Sequence, residues 1–162
     1  MSVHQKRAWW GRQTNKKSLV VAAIEACGNR AGRLRMAMVP DASAKSLCGF
    51  VRDAVVPGST VHTDGWNGYA SLKKSFDHVI VEGEPSVVLK WIHLAFSNLK
   101  TWLLGTYHGI GPEHMQNYLD EYVFRFNRRF SRAHAFWSLL GIALTINPIP
   151  YKDLIAPADE EW

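Results

Sequence analysis

Only two cysteines, Cys27 and Cys48, occur in the 162 residues, and they form no CxxC pair. That excludes a disulfide scaffold and points to a reducing cytoplasm with two buried thiols. No apolar run reaches the ~18 residues that a membrane span requires, so no membrane association is expected. The opening MSVHQKRAWWGRQTNKK is polar and basic, unlike a secretory leader. GxxxxGK[ST], GxGxxG and GxSxG are all missing, which removes Walker-type nucleotide binding, a dinucleotide fold and a hydrolase elbow. The histidines show no HExxH or HxxxH pairing and the cysteines supply no partner, so no structural zinc is expected. Acid is also scarce at the start: no Asp or Glu precedes Glu25.

What is present suits one compact α/β domain with a real core: 47% of residues are hydrophobic and 20% charged. The net charge of +5 is unevenly placed. Lys6, Arg7, Arg12, Lys16 and Lys17 form one basic block, and Arg125, Arg128, Arg129 and Arg132 another. The C-terminal stretch carries Asp153, Asp159, Glu160 and Glu161 against Lys152. The basic blocks are either two solvated surfaces or one groove that follows a phosphate backbone. The seven tryptophans read mainly as core or interface anchors.

The apolar run 18–25 predicts a strand buried on both faces, followed by a turn around Asn29 and Gly32. In 33–39, Leu34, Met36 and Met38 alternate, giving a second hairpin strand. Asp41 or Ser43 can cap a helix carrying Leu47, Cys48, Val51 and Val55. Short strands follow at 61–64 and 78–81, with a short helix at 66–74 between them. Strong amphipathic helices are expected at 88–104 and after Pro112, and a last apolar helix at 133–146.

Three features could carry chemistry. Asp64 ends a strand and precedes Gly65, where α/β folds place their sites; it could equally cap the next helix. His93, Ser97 and Lys100 recur at i, i+4 and i+7, so they share one helix face. That face is either solvated or a phosphate-binding surface, with Lys100 as a point charge. In 119–129, Glu121 and Arg125 can pair at i, i+4 for about 0.2–0.5 kcal/mol, and Arg128 and Arg129 favour the helix C-terminus.

The run 91–130, WIHLAFSNLKTWLLGTYHGIGPEHMQNYLDEYVFRFNRRF, closely resembles the C-terminal signature of ISXO2-like bacterial insertion-sequence transposases. Its specific pieces are H-x3-SNLK, GTYHG and YLDEYVFRFNRR, and VHTDGWNGY at 61–69 resembles the same family's second catalytic strand. The resemblance implies a ribonuclease-H-like mixed sheet with flanking helices, and metal-dependent cleavage and transfer of DNA strands in transposition. Two divalent metals, Mg²⁺ or Mn²⁺, then stabilise the attacking and leaving oxygens. Asp64 matches the second acid. His93 stands where many relatives have the third, a glutamate; an imidazole suits Mn²⁺ better than Mg²⁺. Asp64 and His93 are therefore the implied catalytic and metal-ligating pair, with Lys100, Arg125, Arg128 and Arg129 on DNA.

The chain begins inside what resembles the first hairpin, so the first strand and its acid are expected to be missing. Residues 1–17 then form a basic arm, 18–130 the catalytic-domain core, and 131–162 a C-terminal helix and acidic tail. The implied partners are insertion-sequence ends and target DNA in a nucleoid-associated, cytoplasmic setting. Self-association or pairing with a full-length transposase is possible. A chain with this incomplete ligand set is expected to be an inactive or partial transposase. The alternative is a non-catalytic DNA-binding or interaction module.

Overall fold

The computed structural model describes residues 2–7, 18–81, 89–107 and 110–152, with side chains described from residue 18 onward except that of Arg132. Five strands form one sheet: β1 (Ser2–Arg7), β2 (Leu19–Cys27), β3 (Arg30–Val39), β4 (Thr60–Thr63) and β5 (Asp77–Ile80). Their order is β3-β2-β1-β4-β5. β2 runs antiparallel to both β1 and β3, whereas β4 runs parallel to both β1 and β5. The central place, expected to be empty, is therefore filled by Ser2–Arg7, which pairs residue by residue with Ile24 to Leu19. The reason is backbone accounting: the hairpin with β3 satisfies only one edge of β2, and a buried strand needs both. Polar side chains in S-V-H-Q-K-R conceal this role. The rest of the expected basic arm, 8–17, lies outside the described residues.

β2 is buried on both faces, as its composition predicts. Val20, Ala22 and Ile24 join Leu34 and Met36 under two helices, α2 (Lys90–Thr106) and α3 (Met115–Asn127). Ile92, Phe96, Leu99, Leu119 and Tyr122 complete that layer. On the other face Val21 and Ala23 meet Leu47, Cys48 and Val51 of α1 (Ala44–Ala54) and Tyr69 and Leu72 of a 3-10 helix, Asn67–Lys74. The hairpin turn falls at Gly28–Asn29, so Gly32 lies within β3. A Cβ there would approach Oε2 of Glu25 to 2.5 Å.

Of the two expected caps of α1, Ser43 is the N-cap and Asp41 braces it. Ser43 Oγ accepts the Ser46 N–H, while Asp41 Oδ1 accepts from the Ser43 N–H at 2.9 Å and the Ser46 hydroxyl at 2.6 Å. These bonds hold the Asp41 carboxyl at about 2, below its usual 3.8. Both cysteines are free thiols; Cys48 is buried, but Cys27, expected inside, is exposed beside the hairpin turn.

The last helix, α4 (Arg132–Thr145), is the expected apolar helix. It does not join either core layer. Among the described residues no helix is long and apolar enough to cross a membrane.

Candidate functional site

Asp64 leaves the carboxyl end of β4, next to the central strand. Its position is set from both sides. Thr63 is fully buried, and its Oγ1 is hydrogen-bonded to His78 Nε2 at 2.8 Å and accepts the Gly65 N–H at 3.4 Å. Gly65 takes φ +78, and a Cβ there would lie 2.9 Å from Ile80 Cγ2. Asp64 itself is half-buried, and its Oδ1 accepts the Trp66 N–H at 3.3 Å. It thus shapes the turn into the 3-10 helix but does not cap it as expected: the N-cap is Trp66, and no side chain caps the helix. Burial, and then the Asp64 charge, pushes the Tyr69 hydroxyl far above its ordinary value of 10.0. Burial, and then Lys73, lowers the His78 imidazole below 6.5.

His93, Ser97 and Lys100 lie on the unbroken helix α2 and share a face. His93 and Lys100 are half-buried and Ser97 is exposed. The opposite flank of α2 packs against α3. Tyr122 donates its hydroxyl to the Ala95 carbonyl at 3.0 Å, and its ring lies 5.7 Å from that of Trp102. Since α2 covers β1 and β2 while α3 covers β3, the flank bearing His93 and Lys100 faces the β4 side of the sheet.

The arginines occupy the other flank. Arg125 pairs with Glu121 at 2.8 Å, as the i, i+4 spacing predicts, and its Cζ lies 5.7 Å from the Trp102 ring centre. Arg128 stacks over Phe124 at 3.9 Å. Arg129 is different. Its guanidinium donates to the carbonyls of Ala31, Gly32 and Phe126 and covers the Phe126 ring at 4.1 Å. Read from sequence as a phosphate contact, it is here a clasp between the C-terminus of α3 and the β2–β3 hairpin. The planar five-donor fork suits converging carbonyls as well as it suits phosphate.

The expected site is therefore divided. Asp64, His93 and Lys100 belong to the β4 side, and Arg125 and Arg128 to the β3 side beyond α2. Among the described residues no group of three or more His, Cys, Asp and Glu side chains stands close enough to hold a metal ion.

Two functional contacts had no signal in the sequence reading. Asn127 and Gln116 of α3 serve the open edge of β3: Gln116 Oε1 accepts the Met38 N–H at 2.9 Å, and Asn127 holds Leu34. Polar residues beside an apolar stripe look like solvated surface until the neighbouring strand edge is known.

No curated protein matches the chain, and no solved structure does. The family model for the ISXO2-like transposase domain matches residues 3–127. That span holds the sheet, α1, α2 and α3, and includes Asp64, His93, Lys100 and Arg125; Arg128 and Arg129 follow it directly, and α4 lies beyond it. The chain belongs to the ISXO2-like transposase family.

Proposed function

We propose that this chain is a DNA-engaging ribonuclease-H-like scaffold of transposition that does not cut or join DNA by itself. Family membership makes the function transposition-related and DNA the partner. The observation that carries the fold reading is the sheet order β3-β2-β1-β4-β5, with its antiparallel and parallel halves meeting at β1. This order sets Asp64 at the carboxyl end of a strand beside the centre of the sheet, with the His93 flank of α2 on that side.

In this reading Lys100 attracts a phosphate beside Asp64 and His93. Arg125 and Arg128 attract the backbone on the far flank of α2, Arg128 with one face of its guanidinium against Phe124. These contacts position a duplex and carry no base information.

The family's chemistry uses divalent metal ions. The residues here do not fit a two-metal set. The central strand, S-V-H-Q-K-R, contains no carboxylate, and of Asp64 and His93 only Asp64 can supply a negative charge. Two divalent cations beside a phosphate need more than that. The same acid-free strand favours the second reading, a module that binds DNA and pairs with an intact transposase.

The test is a nicking and strand-transfer assay on supercoiled DNA carrying insertion-sequence ends, in Mg²⁺ and in Mn²⁺. The plasmid is expected to stay supercoiled with this chain and with its Asp64→Ala variant alike. Metal-dependent nicking that disappears in Asp64→Ala contradicts the proposal.

A further inference from the structure

Trp91, Leu94, Ala95 and Asn98 recur at i, i+3, i+4 and i+7 on α2, so they share a face, turned away from His93. That face is not closed over by its neighbours. It lines a slot of about 240 Å³, to which the hairpin contributes Arg30 and Ala31 and the end of α3 contributes Phe126, Arg129 and Phe130. Ala31 and Ala95 give the slot its depth, because their side chains are too short to fill it. Its volume is below the roughly 300 Å³ at which sites for drug-sized molecules begin, so it suits one flat ring system and not a larger ligand.

The lining combines aromatic rings with positive charge. Arg129 Cζ lies 4.1 Å from the Phe126 ring centre and 4.4 Å from that of Phe130. Lys90 Nζ stands 4.8 Å from the Trp91 ring centre and donates to Asn29 Oδ1 at 3.0 Å. Arg30 is a third cation at the slot, and no acidic side chain lines it among the described residues. Phe130 is 83% exposed, which leaves most of its ring uncovered. Aromatic faces hold a flat ring and cations hold phosphate, and proteins combine the two to bind unpaired nucleotides. Asn98 is exposed on the same face and offers an amide donor and acceptor to a base edge.

The slot is also continuous with the surface proposed for the DNA backbone. Arg129 lines both the slot and a second cavity of about 380 Å³, whose lining includes Arg125 and Arg128. A strand with its phosphates against Arg125 and Arg128 therefore runs beside the slot.

We propose that this slot takes one unpaired nucleobase of the bound DNA, stacked among Trp91, Phe126 and Phe130, with Arg30 and Lys90 at a flanking phosphate. The inference rests on the reading of this chain as DNA-engaging. It adds that the DNA is held by a base as well as by its backbone. Stacking accepts any base, so the slot senses that a base is unpaired and not which base it is.

The experiment measures the affinity of the full chain at one fixed salt concentration for three DNAs: a random-sequence duplex, the same duplex with one bulged adenine, and the same duplex with an abasic bulge. An unpaired base is already free of its partner, so inserting it costs little. The adenine bulge is expected to bind about tenfold more tightly than the other two. Phe130→Ala, which removes an exposed ring, and Leu94→Trp, which fills the slot, should each abolish that preference. Both should leave plain-duplex affinity and circular dichroism unchanged. Equal affinity for the adenine and abasic bulges overturns the proposal, since the protein would then sense bent DNA and not a base. A preference that survives both variants also overturns it. Duplex binding with no preference for the bulge overturns this inference alone, whereas no binding to any of the three DNAs overturns the DNA-engaging reading with it.

Discussion

Asn127 holds both backbone groups of Leu34: its Oδ1 accepts the Leu34 N–H at 2.7 Å, and its Nδ2 donates to the Leu34 carbonyl at 2.9 Å. The amide thus acts as a one-residue neighbouring strand for the outer edge of β3. An open edge is a template for unwanted pairing, and covering it is a recognised remedy. Replacing Asn127 with Ala leaves two half-buried backbone groups without these bonds. The expected cost is about 1–3 kcal/mol, seen as a lower denaturation midpoint with an unchanged denaturant slope. An Asn127→Ala chain as stable as the parent would show that water replaces the clasp at no cost.

Gly65→Ala tests how the carboxylate is aimed. The residue sits at φ +78, where an L side chain costs about 1–2 kcal/mol, and the new Cβ presses on Ile80. Stability should fall by at least that amount, and the Asp64 to Trp66 hydrogen bond should weaken, read as faster hydrogen exchange at the Trp66 amide. Unchanged exchange at Trp66 would mean that Gly65 does not set the turn.

The Thr63–His78 pair gives stability a pH dependence. Burial lowers the folded His78 below 6.5, so between that value and the folded one the unfolded chain binds more protons. Stability from this residue is complete above pH 6.5 and is lost as pH falls through the folded value. Urea denaturation of the parent and His78→Asn at stepped pH should therefore show a steeper acid loss in the parent. Parallel curves below pH 6.5 would remove His78 as the cause.

Where burial dictates residue type, the sequence reading works well. β2 is a continuous apolar run because both its faces are covered, and Ile92, Phe96 and Leu99 mark the inner face of α2 because only that face is buried. It fails where backbone groups or distant partners decide. Ser2–Arg7 joins the sheet through main-chain bonds that its polar side chains do not advertise. Arg129 has the composition of a phosphate contact, and only the carbonyls of Ala31 and Gly32, nearly a hundred positions earlier, reveal its clasp. Asp64 is readable as a strand-end carboxylate, but the sequence does not show that Arg125 and Arg128 fall across α2 from Lys100. The apolar helix α4 is legible as a helix, but its composition does not show that it stays outside both core layers.

The most direct test of the account is the affinity for random duplex DNA as a function of salt. For the parent chain the logarithm of the association constant should fall linearly with the logarithm of salt concentration. The steepness should drop by about one unit in Lys100→Ala and by about two in Arg125→Ala with Arg128→Ala. Arg129→Lys should leave the steepness unchanged while lowering stability, since its guanidinium serves the hairpin carbonyls. Absence of binding at low salt, or an affinity indifferent to salt, would contradict a DNA-engaging scaffold.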